Sequence, residues 1–289
     1  MMTTLGSVVA ASRPRRLLML AMRGARAAGT TSLAASLVMA CAVSQSTTNS
    51  ANGSLDKGVA SASPRATQGG GSVTDAAQQQ ANTLTDAERR AGWRLLFDGT
   101  TLDGWRRYQG DTVPAAWRVS DGTINKTVPT RDIVSREQFS DFELVFDWRV
   151  ATGGNAGVFY RATEEYDRVY WSAPEYQLLD DPNAPDGRDP LTSAGSAYGL
   201  YPAPRGVVKP AGEWNTSRVV ARGTHVEHWL NGTKIVEYEA LSPDWEAKVK
   251  ASKFKDWPNY GRATRGHIAI QGDHRGDLAL RNIKIREIR

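Results

Sequence analysis

The sequence holds one cysteine in 289 residues, Cys41, and four histidines. A lone Cys excludes a disulfide framework and any metal site built from several thiolates. Nothing in the chain resembles GxGxxG, a Walker A loop, HExxH or GxSxG, so dinucleotide, P-loop, zincin and serine-hydrolase chemistries have no local signature. There is no internal repeat. Acidic residues are missing from the first forty positions, which carry Arg13, Arg15, Arg16, Arg23 and Arg26. The apolar, small-residue run at 27–40 is too short to span a membrane.

A basic segment, a short apolar run and a small residue before a cut describe an export signal. Leu37-Val38-Met39-Ala40-Cys41 is similar to a bacterial lipobox, in which the Cys becomes the lipidated first residue of the mature chain. Residues 1–41 therefore read as a signal peptide with Cys41 as the lipidation site; an ordinary signal with an incidental Cys is the alternative. Translation from Met19 or Met22 would give a signal of more usual length. The formal charge of +5 equals the five arginines of this segment, so 5 − 5 = 0 for the remainder. The basic balance thus belongs to the export signal and gives no reason to expect a nucleic-acid partner.

Residues 42–82 are rich in Ser, Thr, Gly, Ala, Gln and Asn. Such a stretch buries too little apolar surface to offset its ordering entropy and reads as a disordered low-complexity linker. The domain is expected at 83–289. It opens on Leu84-Thr85-Asp86-Ala87-Glu88, with an N-cap residue three positions before an acid, a capping box.

Strand signals then dominate. WRLLFDG, WRVSDGTIN, FELVFDWRV, AGVFYR, EYQLLD, NTSRVVARG, HVEHWLNGTKIVEYE, GHIAIQG and LALRNIKIREI are short, β-branched or aromatic, and bounded by turn residues. Asn231-Gly232 marks a hairpin, since both turn positions favour positive φ. Phe142, Leu144, Phe146, Trp148 and Val150 form one apolar face. Residues 243–255 are the exception, a rim helix started by Ser242-Pro243-Asp244. Many antiparallel strands over about 200 residues suggest one β-sandwich domain.

The most informative stretch is GGNAGVFYRATEEYDRVYWSAPEYQLLD, residues 153–180. It holds two strand-like runs around a polar loop. Asn155, Phe159 and Arg161 share a parity, as do Glu175, Gln177 and Leu179, and strand side chains alternate with period two. Polar groups on an inner strand face are costly unless paired or committed to a ligand. This predicts a site containing Asn155, Arg161 and Glu175.

Six pieces carry a family resemblance: LTDAERRAGWRLLFDGTTLDGW, FELVFDWRV with GGNAGVFYR, EYQLLDD, SAGSAYGLYP, GEWNTSRVVARGTHVEHWLNG and GHIAIQGDHRGDLALRNIKIREI. In this order the chain resembles the 3-keto-disaccharide hydrolase domain family. The resemblance implies an all-β, concanavalin A-like jelly-roll sandwich of two antiparallel sheets with short peripheral helices. It implies action on glycosides already oxidised at C3, and so a functional link to a separate oxidoreductase. A C3 ketone acidifies the C2 proton; its removal gives an enediolate, and the C1 substituent leaves by elimination. Such a route needs a base near C2, a positive or hydrogen-bonding group at O3 and an acid near the leaving oxygen. A divalent metal bridging O2 and O3 could supply the second role.

Glu175 is the first candidate for the base or a metal ligand. Arg161 beside it would keep it ionised, and a plain structural pair is the alternative. Asn155 and Arg161 are candidates for sugar oxygens or the enolate. His228 and His267 are further catalytic candidates; His228, with Val226 and Leu230 on its own face, also fits a satisfied core residue. His267, Glu175 and another carboxylate could together hold a metal, although no local spacing requires it. Gln271 shares a parity with His267 and suits a sugar hydroxyl; His274 follows in a loop. Tyr198 and Tyr201 are expected to stack on sugar C–H faces or pack within their glycine-punctuated loop. Asn215 is expected on the concave face, with Trp214 packing beside it and His225 pointing outward. Asp180, Asp181, Asp186 and Asp189 read as a solvated loop rather than a calcium site, because the spacing is not that of an EF-hand. The expected partners are a sugar substrate, no nucleic acid, and the membrane only through the lipid anchor, on an exported periplasmic or cell-envelope lipoprotein. The alternative function is a non-catalytic carbohydrate-binding lipoprotein on the same fold.

Overall fold

The computed structural model describes residues 81–288, and the expectations for the signal peptide, Cys41 and nearly all of the linker lie outside them. Helix α1 (Asp86–Arg90) starts on the expected capping box: the Thr85 hydroxyl accepts the Glu88 N–H, and the Glu88 carboxylate accepts the Thr85 N–H. The strands that follow are β1 (Arg94–Leu95), β2 (Trp105–Arg107), β3 (Trp117–Ser120), β4 (Thr123–Lys126), β5 (Ile133–Phe139), β6 (Phe142–Val150) and β7 (Asn155–Ala162). After them come β8 (Glu175–Leu179), β9 (Asn215–Arg222), β10 (His225–Leu230), β11 (Thr233–Glu239), helix α2 (Pro243–Ala251), β12 (Gly266–Ile270) and β13 (Leu278–Glu287).

All pairings are antiparallel, in two sheets. One runs β11-β10-β9-β6-β13-β4-β3, with β1 added on β13; the other runs β2-β5-β12-β7-β8. This is the expected all-β sandwich. The expected strands all form, and β2 and β5 add two that were not signalled. The Asn231-Gly232 turn joins β10 to β11 with φ of 49° and 84°, as a two-residue hairpin with both centres left-handed requires.

The core lies between the sheets. Phe142, Leu144, Phe146, Trp148 and Val150 all point into it, each contributing about 1.5–3 kcal/mol by burial. The facing sheet supplies Val158, Tyr160, Tyr176, Leu178, Ile268 and Ile270. Buried hydroxyls and rings in this core satisfy one another. Trp148 donates to Ser217 Oγ (2.8 Å), Ser217 to Tyr176 Oη (2.8 Å), and Tyr176 to the Trp229 carbonyl (3.0 Å).

The outward faces of the two sheets differ. On the larger sheet it is a charge ladder: Arg286 and Arg218 pair with Glu143, Arg281 pairs with Asp147, and the Trp214 ring lies between the Arg149 and Arg281 guanidinium groups. On the smaller sheet, a patch of Val134, Phe159, Ala162 and Ala269 is covered by Tyr108, Val169 and Ala173 from loops. With the core on its inner face and loops over its outer one, β8 is buried on both faces, and a cavity can form there.

Helix α2 is shorter than the expected 243–255. Ser242 caps its start by accepting the Trp245 N–H. It ends at Ala251 because Ser252 is extended (φ −98°, ψ 178°) and its hydroxyl accepts the Phe254 N–H. This exit turns Lys253 out of the helix.

Candidate active site

Beside the covered patch, the outward face of the smaller sheet carries a cavity of about 210 Å³. Strands β7 and β8 contribute Asn155, Glu175 and Gln177; Gln271, just after β12, completes the floor. Four loops bring Tyr170, Asp186, Tyr198, Lys253, Asp273 and His274 to the walls.

Glu175 stands opposite Phe159 in the β7–β8 register, and its carboxyl leans over Gly157. A Cβ at Gly157 would lie 2.1 Å from Glu175 Oε1, so the glycine is what leaves room for the acid. Glu175 is 5% exposed and makes no ion pair among the described residues. The Gln177 amide adjoins it. In one orientation it donates to Asn155 Oδ1 (3.3 Å); turned over, it donates to Glu175 Oε1 (3.1 Å) and to the Ala156 carbonyl (3.1 Å). Burial pushes the Glu175 carboxyl up to about 8; the Lys253 ammonium pulls it down, while Asp132, Asp273 and Asp186 add to the rise.

The Gln271 side-chain oxygen is buried and has no hydrogen-bond partner among the described residues. An orphaned acceptor on a cavity floor costs about 1–3 kcal/mol unless a ligand donates to it. Asp186 accepts from Asn155 Nδ2 and from the Tyr198 hydroxyl, both at 3.3 Å. The Tyr198 N–H donates to the Glu175 carbonyl (3.1 Å), which pins the glycine-punctuated loop to β8. The loop carrying Asp273 and His274 is anchored by two buried ions at strand ends. Asp132 accepts the Gly272 N–H (2.8 Å) and Lys126 donates to the His274 carbonyl (2.6 Å). Burial pushes Asp132 up to about 6 and the Lys126 ammonium down.

The structure thus brings together Asn155, Glu175, Gln271 and Tyr198 of the expected residues, with Gln177, Asp186 and His274 also present. It does not bring in the others. Arg161 has a left-handed backbone (φ 54°) in a bulge, where Phe159 to Ala162 face only Ala269 to His267. The parity argument fails at that bulge. The guanidinium donates to the Ser140 and Gly223 carbonyls and to Asp141, joining the β5–β6 connection to the β9–β10 turn. The expected Arg161–Glu175 pair is absent, so no guanidinium offsets the burial that pushes Glu175 up.

His228 is fully buried between the sheets. Its Nδ1–H donates to the Gly195 carbonyl (2.9 Å) and its Nε2 accepts from Tyr160, which accepts from Tyr238. Burial holds His228 down at about 4. His267 lies beyond the apolar patch: Nδ1–H donates to the Ser135 carbonyl (2.7 Å), and Nε2 accepts from Gln138 (3.0 Å) and Arg106 (3.3 Å). The ligand set expected from Glu175, His267 and a carboxylate therefore does not converge. Tyr201 stacks on Tyr238 (4.6 Å) and donates to Asp244, away from the cavity. Asn215 sits in the larger sheet and accepts from the Lys209 N–H and Asn231 Nδ2.

Part of the acidic run organises its loop, while Asp189 is solvent-exposed as expected. Asp180 is buried and accepts from the Gly153 N–H and Asn183, and Asp181 accepts the Ala194 N–H. Among the described residues, the group with metal-ligand proximity is His225, Glu227 and Glu237 on the β10–β11 hairpin. There Lys234 already pairs with both glutamates and Glu239 holds His225, so that histidine is half-buried and paired rather than simply outward. No described helix is long and apolar enough to cross a membrane.

The profile of the 3-keto-alpha-glucoside-1,2-lyase-like domain matches residues 92–286, nearly the whole sandwich. The chain belongs to this family. A 3-keto-disaccharide hydrolase of Bacteroides thetaiotaomicron is 34% identical over 227 residues, covering 68% of this chain and 78% of the relative. A candidate glycosyl hydrolase of Parabacteroides distasonis, solved at 1.70 Å, is 34% identical with a TM-score of 0.69, over 73% of this chain and all (100%) of that one. A second from the same organism, at 2.00 Å, is 27% identical with a TM-score of 0.55, over 68% and 99%.

Proposed function

We propose that the chain is a glycoside-cleaving enzyme acting on 3-keto-glycosides, with Glu175 as the general base. The observation that carries this reading is the state of Glu175. A buried carboxyl with no cationic pair, titrating near 8, is a base poised for proton abstraction close to neutral pH. An ordinary glycosidase needs two carboxylates facing each other across the bond, one proton donor and one nucleophile or base. Elimination through a C3 ketone needs one base at C2.

The cavity suits a sugar. Asn155, Gln177 and Gln271 present amides, and the orphaned Gln271 oxygen awaits a hydroxyl donor. Tyr170 and Tyr198 offer ring faces for C–H stacking. In the reaction, Glu175 takes the C2 proton and the enediolate expels the C1 oxygen. Protonation of that oxygen and addition of water to C1 complete a net hydrolysis. The family carries a lyase description and the B. thetaiotaomicron relative a hydrolase name; the difference is whether water adds before the product departs.

A non-catalytic binding module on the same fold would rely on aromatics and amides and would not require an unpaired, desolvated carboxyl. Incubating the purified chain with 3-keto-lactose or 3-keto-trehalose, with and without chelator, separates the two. Released monosaccharide supports the enzyme; saturable binding with no product sinks it.

The same reading has the chain exported and tethered by a lipid on Cys41, where it meets sugars oxidised by a separate oxidoreductase. The basic segment and the LVMAC run support this. Labelling with a radioactive fatty acid tests it, the label being lost in Cys41→Ser. An unlabelled wild-type chain would overturn the anchor.

A further inference from the structure

Elimination from a 3-keto sugar leaves negative charge on O3, and the cavity contains one side chain suited to meet it. Lys253 is the only lysine or arginine lining the cavity among the described residues. Its ammonium lies 4.2 Å from the Tyr198 ring centroid, 5.3 Å from Phe254 and 5.8 Å from Tyr170. Glu175, Asp186 and Asp273 line the same cavity, yet none forms an ion pair with it. An ammonium held by ring faces keeps its N–H donors available for a ligand.

The position is also built. Phe254, the next residue, is buried and stacks on Tyr260 at 4.1 Å with 9° between the planes. Ser252 breaks the helix and ties to Phe254. Tyr198, the nearest ring, is held by Asp186. An exposed lysine partnered by ring faces and by no carboxylate is thereby held on a fixed backbone at the wall of the cavity that contains Glu175.

We propose that Lys253 is the electrophile of this site, its ammonium hydrogen-bonding the C3 oxygen and stabilising the charge that develops there as Glu175 takes the C2 proton. The inference rests on the function proposed above. The C2–H bond breaks, its proton passes to the Glu175 carboxylate, and its electron pair forms C2=C3 while the carbonyl pair moves onto O3. Collapse of the enediolate reforms C3=O, forms C1=C2 and expels the C1 oxygen with its pair. Nothing is oxidised or reduced, and Lys253 keeps its protons throughout.

A lysine that only grips a sugar hydroxyl would change KM, whereas an electrophile changes proton abstraction. The test uses the full domain with 3-keto-lactose and reads kcat, KM and, in D2O, exchange of the C2 proton by NMR. Lys253→Met is expected to lower kcat and C2–H exchange together by about 10²–10³-fold, with KM within about threefold of wild type. Lys253→Arg retains more of both than Lys253→Met, since it keeps the charge. Unchanged melting temperatures show that the fold is intact. Retention of wild-type exchange and kcat by Lys253→Met, with or without a raised KM, overturns the assignment. If wild-type protein neither cleaves nor exchanges any 3-keto-glycoside, the underlying function fails instead, before any variant is compared.

Discussion

Two ends of one sheet face carry a buried ionisable group each. His267 in β12 and Gln271 just after it share one face, with Ala269 and the apolar patch between them. At the His267 end both ring nitrogens are partnered. The ring bonds Ser135, Gln138 and Arg106, and Arg106 forms a two-pronged pair with Glu164 (both 2.7 Å). At the Glu175 end the carboxyl has no cationic pair, the Gln271 oxygen has no donor, and Lys253 has no carboxylate. Both residues are comparably buried, at 4% and 5%. Burial alone therefore does not separate structure from site; satisfaction of the buried groups does.

The sharpest way to break this contrast is to neutralise Glu175. Glu175→Gln preserves the shape and is expected to lower kcat/KM on a 3-keto-disaccharide by about a thousandfold, within the range typical of general bases. Monosaccharide release at the wild-type rate would falsify the role. Next in size is Gly157→Ala. The added methyl would meet Glu175 Oε1 at 2.1 Å and push the carboxyl aside, costing about a hundredfold in kcat/KM, as a displacement of about 1 Å can. Activity equal to wild type would mean that the carboxyl position does not matter.

A smaller effect separates the ends by pH. The Glu175 carboxyl titrates near 8 when folded and near 4.5 when unfolded, so between these values the native chain holds a proton that the unfolded chain has lost. Wild-type stability therefore declines as pH rises from about 4.5 to 8. Glu175→Gln lacks that decline and is the more stable protein at about pH 9, while the two converge below about pH 4. Parallel melting curves across the whole range would contradict the buried, unpaired carboxyl. The smallest catalytic effect belongs to the satisfied end. His267→Gln is expected to lose about 1–3 kcal/mol of stability, by urea titration, and to keep kcat/KM within about threefold.

Much of this was legible in the chain. Strand β6 announced itself because its apolar face alternates without interruption, and the Asn231-Gly232 turn because its two positions need positive φ. Asn155 and Glu175 were found by parity, which holds along regular strands. Arg161 escapes the same rule, because a bulge with a left-handed residue leaves no mark in a period-two pattern. His228 and His267 looked like chemistry because histidine often is; only their partners show that they are satisfied. Lys253, Tyr170 and Asp273 carried no local signal. They reach the cavity because Ser252 ends a helix early and because Asp132 and Lys126 anchor a distant loop. Such convergence belongs to tertiary structure.

The central claim is that Glu175 is a desolvated base without a cationic pair. Its titration can be followed directly by ¹³C NMR of protein labelled at glutamate side-chain carboxyls, with Glu175→Gln assigning the signal. The account predicts a midpoint near 8. A midpoint at or below the ordinary glutamate value of about 4.3 would contradict it.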